Sequence, residues 1–190
     1  VAIARSLRAR KDVESLQQAH GLLQEVACSY PELAKDDLAA IEKLLELDDE
    51  APVNGDDAKA AVQALQKSLG RKVRVLVVGG NERQRRHHPR LEKLAEQWGF
   101  EAEWLMTNYT SPQKTVSTIV DRMRSGLDLL LLLHWNRHET TEPALEAARQ
   151  GNVPARTVHY AGFTSLQVAM VEQLQRLAAN APAPAKSKAR

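Results

Sequence analysis

The chain has one cysteine, Cys28, in 190 residues. No disulfide can close within a single chain, so the fold rests on its core, and a reducing, cytoplasmic setting is expected. Aromatic residues make up 4% of the sequence, too few for the row of stacking platforms that an unspecific single-strand binder uses. Long apolar runs are missing as well. The longest, Leu129 to Leu133, has the length of a strand, and no signal-peptide pattern is present, so no membrane partner is expected. The chain starts at Val1 without Met and runs straight into helical pattern, which reads as an N-terminally truncated fragment or a processed chain.

Charge of one sign is lacking overall, with a formal net charge of +2, but it is unevenly placed. Residues 32–57 are acidic, with Asp36, Asp37, Glu42, Glu46 and Asp48 among them. Residues 71–93 are basic, with Arg71, Arg74, Arg83, Arg85, Arg86 and Arg90. This asymmetry suits an anionic partner at the second stretch, or contact between the two.

Apolar residues in the first seventy positions recur at helical spacing. Ile3, Leu7, Leu16, Leu23 and Val26 mark a helix over roughly 3–28, interrupted at His20 and Gly21. Pro31 suits the first turn of a second helix, with Leu33, Leu38, Ile41, Leu44, Leu45 and Leu47 on its apolar side. A third helix is expected to start at Asp56 or Asp57 as N-cap, to carry Val62, Leu65 and Leu69, and to stop at Gly70. No metal-ligand spacing and no convergent polar set appears here. A packing or homo-oligomerisation segment over 1–70 is the expectation, and a partner-binding acidic face on the second helix is the alternative.

From Arg71 the pattern alternates strand and helix. Strands are expected over Val73 to Val78, Glu101 to Met106, Leu127 to Leu133 and Arg156 to Tyr160. Ser111-Pro112 and Thr141-Glu142-Pro143 read as caps followed by a proline in the first turn. Gly99, Gly126 and Gly151 read as helix ends. Four such units make an α/β domain over 71–179: a four-stranded parallel doubly wound sheet of order 2-1-3-4, preceded by about three helices and followed by a disordered basic tail over 180–190.

In that order strands one and three lie side by side and their crossovers leave in opposite directions. A crevice is therefore expected at their carboxyl ends. One wall is Gly79-Gly80-Asn81 with Arg83, Arg85 and Arg86, and the other is His134 with Asn136, Arg137, His138, Thr140 and Thr141. Thr164 and Ser165 are expected to close one side. Helix N-termini there favour anions, paired glycines admit a close ligand, and arginines suit phosphate. Each feature has a plainer reading: a tight turn, a solvated charge run, a hydrogen-bonded structural histidine. Arg83 and Gln84 occupy the place of the later glycine of a dinucleotide fingerprint, so no nicotinamide or flavin cofactor is expected. His134 and His138 have no cysteine or well-placed aspartate beside them, and Asp128 lies at the amino end of its strand, so no metal is expected either. His87-His88 before Pro89 reads as a capping or surface pair.

The strand ending in Val75-Leu76-Val77-Val78-Gly79-Gly80, with Leu131-Leu132-Leu133-His134 followed by Asn136 and His138, resembles a bacterial Rossmann-like domain family, the domain of unknown function numbered 2325. The resemblance covers about residues 72–175. It implies the fold and a bacterial cytoplasmic setting, and no established activity.

Three functions are therefore carried forward. The first is a binding or regulatory module holding a phosphate-bearing ligand, a nucleotide or a nucleic-acid backbone, between strands one and three. The second is a protein-protein interaction or oligomerisation scaffold built on the leading helices. The third is an enzyme on a phosphorylated substrate with His134 or His138 as acid/base and Glu139 assisting.

Overall fold

Leu129 to Leu133 are all buried. A strand whose side chains are covered on both faces belongs in the middle of a parallel sheet. In the computed structural model, which describes residues 1–10, 13–48, 55–80, 82–108, 110–133, 138–158 and 163–181, it does. The strands are β1 (Arg74–Val78), β2 (Glu101–Leu105), β3 (Leu129–Leu133) and β4 (Ala155–Val158). They form one parallel four-stranded sheet in the order β2-β1-β3-β4. The helices are α1 (Ala2–Arg10), α2 (Val13–Ser29), α3 (Pro31–Asp48), α4 (Gly55–Leu69), α5 (His88–Trp98), α6 (Pro112–Arg124), α7 (His138–Gln150) and α8 (Phe163–Asn180). The fold class is the expected one.

The chain forms two compact units, residues 1–53 with 159–168 and residues 54–158 with 169–190. The division falls at 53/54 and not at 70, because α4 packs on α5. A Cβ added to Gly55 would lie 3.0 Å from the Trp98 indole nitrogen, and the Gln66 side chain donates to the Gly99 carbonyl. Helical spacing in α4 announced an apolar stripe without saying which neighbour covers it. Its start is one residue earlier than expected, which puts Asp56 and Asp57 in the first turn, where they oppose the positive end of the helix dipole. Gly70 ends it with φ 68°, donating its N–H to Gln66 at 2.8 Å.

The first unit has a core of Ala4, Leu16, Ala19, Leu23, Ala34 and Ile41 from α1, α2 and α3. Alanine at three of these six core positions, one on each helix, lets the helices approach closely. Asp37 of α3 accepts from Arg5 Nε at 2.7 Å and from Arg8 at 2.9 Å, which ties α1 to α3 and engages one carboxylate of the acidic stretch inside the unit. His20 and Gly21 do not interrupt α2. They lie inside it, and His20 is buried. A glycine inside a helix costs about 1 kcal/mol, which burial of the stripe outweighs. Leu33, expected on the buried side of α3, is 59% exposed.

In the second unit, Leu76, Val78, Leu130 and Leu132 form one core with Ile119 of α6 and Ala144 and Ala148 of α7. These are alternate residues of β1 and β3, so α6 and α7 cover one face of the sheet. The intervening Val75, Val77, Leu129, Leu131 and Leu133 are equally buried on the other face. Right-handed crossovers put α5 on that face, since β1 to β2 runs the opposite way from β2 to β3 and β3 to β4. The edge strand β4 is tied to α8 through Arg156 and Glu172.

The amino edge of the sheet is pinned by Asp128. Its carboxylate takes both Arg71 guanidinium nitrogens, at 2.6 and 2.8 Å, and the backbone N–H of Arg74 at 2.8 Å, while its own N–H donates to the Arg74 carbonyl at 3.0 Å. Donating to the Asp128 carboxylate raises the already high pKa of Arg71, so that partner stays charged. Asp128→Ala is expected to destabilise the protein by about 1–2 kcal/mol, the worth of a partly exposed charge-assisted set, read as a lowered denaturant midpoint. An unchanged midpoint would show that the clamp is incidental to register.

Candidate functional site at the carboxyl edge of the sheet

β1 and β3 are hydrogen-bonded neighbours, with Val78 opposite Leu132. Gly79 and Leu133 therefore leave the sheet side by side, and the chain departs from them toward opposite edges. This is the switch point at which open parallel sheets take ligands.

Both glycines on the β1 side have positive φ, 118° at Gly79 and 91° at Gly80. A side chain would be strained at either, and a Cβ on Gly80 would meet the Gln84 Cβ at 3.3 Å. The Gly79 peptide is engaged by β2. Its N–H donates to the Leu105 carbonyl at 2.9 Å, and its carbonyl accepts from the Trp104 indole N–H at 2.9 Å. Trp104 in turn stacks on His88 with ring centroids 4.7 Å apart. The pair is thus required by the turn itself and by its bonds to β2. Trp104 was not singled out from the sequence. A lone tryptophan in a short edge strand looks like core, and only the strand order brings it beside Gly79.

The basic stretch after the glycines is not an open loop. Residues Glu82–His87 form a 3₁₀ helix that runs straight into α5. With three residues per turn, positions 83 and 86 stack along the coil and 85 sits a third of a turn away, so the three arginine positions do not share one side. Arg85 is exposed. Asn81 and the side chains of Arg83 and Arg86 lie outside the described residues. His87 neither caps α5 nor sits at the surface: it makes no side-chain cap bond and is buried, with Arg90 Nη1 3.5 Å from its Nδ1. His88 is half-buried against Trp104.

On the β3 side, α7 begins at His138, earlier than the cap-then-proline reading placed it. Thr141 is not the cap, and Pro143 lies inside the helix. The stripe Thr140, Ala144, Ala148 is buried, and its packing carries the helix through a proline that forgoes one backbone bond. Thr140 is wholly buried, and its hydroxyl finds no hydrogen-bond partner among the described residues. Thr141 is half-buried and Glu139 exposed. His134, Asn136, Arg137 and the His138 side chain lie outside the described residues. Thr164 and Ser165 stand in the first turn of α8, in the segment that groups with the helical unit.

The β2–α6 connection is closed by Asn108, whose side-chain oxygen accepts from Thr110 N–H, Thr110 Oγ1 and Ser111 N–H at 3.1, 2.8 and 3.0 Å. Ser111, expected to cap α6, makes no side-chain cap bond. Among the described residues no three His, Cys, Asp or Glu side chains are grouped to hold a metal ion, and no helix is long and apolar enough to cross a membrane. A cavity of about 270 Å³ lies at the other end of the sheet, and its charged lining is matched in pairs, Arg74 with Glu101 at 3.0 Å and Arg122 with Glu103 at 2.6 Å.

No protein-family profile, no curated protein and no solved structure matches the chain.

Gly80→Ala is expected to cost about 1–2 kcal/mol, the penalty of a left-handed conformation for an L side chain. Trp104→Phe should cost about 1 kcal/mol for the lost bond to the Gly79 carbonyl. Thermal or denaturant unfolding checks both, and neutral substitutions would show that the turn is not held as described.

Proposed function

We propose that the protein is a binding or regulatory module that holds a phosphate-bearing ligand, a nucleotide or a nucleic-acid backbone, at the carboxyl edge between β1 and β3. The observation that carries this reading is the adjacency of β1 and β3 with departures in opposite directions, which opens the sheet where the first turn of α7 lies. Helix N-termini present unpaired N–H groups and a positive dipole end. Arg85, with Arg83 and Arg86 in the same coil, supplies basic character on the β1 side. The Gly79-Gly80 ending of β1 supports kinship with the Rossmann-like family numbered 2325 as part of the same proposal.

The test is thermal unfolding against pyrophosphate, nucleoside triphosphates and a short RNA. A ligand at a hundredfold its Kd stabilises the folded state by about 2.7 kcal/mol, a shift of several degrees. Changing Arg83, Arg85 and Arg86 together to alanine should reduce that shift. For a nucleic acid, affinity should also fall steeply with salt. Absence of any shift across the three probes would refute the reading.

A second reading has an observation of its own. The helical unit exposes Ile3 at 70%, Tyr30 at 66% and Leu33 at 59%. Exposed large apolar side chains favour self-association through the leading helices. Leu33→Ser combined with Ile3→Ser should then lower the mass measured by light scattering. A wild-type chain that is monomeric at high concentration would dismiss this arrangement.

A further inference from the structure

Thr140 is 0% exposed and its hydroxyl has no hydrogen-bond partner among the described residues. Buried hydroxyls normally have one, because an unpaired polar atom away from water costs stability. Thr115, in the first turn of α6, shows the usual solution: it is 3% exposed, and its hydroxyl accepts the Asn108 N–H at 3.0 Å. Thr140, in the first turn of α7, lacks any equivalent.

Its position gives the hydroxyl a direction. Ala144 and Ala148, one and two turns further on, belong to the core that also holds Leu76, Val78, Leu130 and Leu132. α7 returns from the end of β3 to the start of β4, so it runs antiparallel to the strands, and Thr140 stands at the end of this stripe nearest the carboxyl edge. Helical side chains lean toward the helix N-terminus. The hydroxyl is thereby carried toward the switch point between β1 and β3, beside the first-turn N–H groups of α7 that have no partner within the helix. The exposed Glu139, which would oppose an anion, lies about 100° around the helix from it.

We propose that Thr140 is a ligand-binding residue, its hydroxyl donating to a phosphoryl oxygen seated at the N-terminus of α7. This rests on the phosphate-site reading above and adds the residue that anchors the ligand there. No described residue hydrogen-bonds the hydroxyl, so a bond to a phosphoryl oxygen is gained without one being lost. Thr140 then carries a stability penalty in the free protein that the ligand removes. Valine has the same shape without the hydroxyl and should relieve the penalty while abolishing the contact.

The experiment compares the full chain with Thr140→Val and Thr140→Ser, reading the melting temperature and the pyrophosphate affinity of each. The expected result has three parts. Thr140→Val melts higher than wild type without ligand. Its pyrophosphate Kd is at least tenfold weaker. Thr140→Ser keeps wild-type affinity. Equal Kd values for wild type and Thr140→Val would overturn the role of Thr140 and leave the phosphate reading standing. A Thr140→Val variant that melts lower than wild type would also overturn it, because the hydroxyl would then have a partner in the free protein. A wild type that binds none of pyrophosphate, a nucleoside triphosphate and the short RNA would overturn both.

Discussion

A strand that is apolar on both faces must be covered on both, and β3 is five leucines with none exposed. That requirement governs the whole second unit. It places β3 inside the sheet beside β1, and it needs helices on each side. Because parallel crossovers are right-handed, it also decides that α6 and α7 share one face. The separation of the loops after β1 and β3 follows from the same constraint. A candidate site at their junction is a by-product of covering the leucines.

The two edges of the sheet are built differently. At the amino edge, charge is matched locally. Arg71 meets Asp128, Arg74 meets Glu101, and Arg122 meets Glu103. These pairs fix register and blunt the exposed edge strand β2. At the carboxyl edge the conformational demands are less ordinary. Two consecutive glycines hold positive φ, and a threonine hydroxyl is buried without a partner among the described residues. A buried hydroxyl left without a partner is a sound reason to look for binding there.

Much of the second unit could be read from residues 71–179 because its signals are local and redundant. Gly99 and Gly126 ended helices with φ of 84° and 93°, where alternating and continuous apolar runs had marked the neighbouring strands. The readings that changed depended on what lies across a contact. Pro143 looked like a first-turn proline, yet the stripe through Thr140 and Ala144 extends α7 ahead of it. Ser111 had the right type and place for a cap, but Asn108 organises that turn. Leu33 kept the period of α3 and is nonetheless exposed. His87 looked like surface and is buried.

The sequence by itself determined the strand and helix order of the second unit from β1 on, the parallel 2-1-3-4 sheet and the location of its switch point, whereas the single helix expected over 3–28 is two, α1 and α2. Period, glycine and crossover handedness leave few alternatives for such a pattern. Tertiary structure alone decided that α4 belongs with the sheet, that Trp104 holds the Gly79 carbonyl, and that Thr140 is buried without a partner. Each of these depends on residues far apart in the chain meeting across a packed interface. A hydrophobic period records that a face will be buried, and only the packed fold records against what.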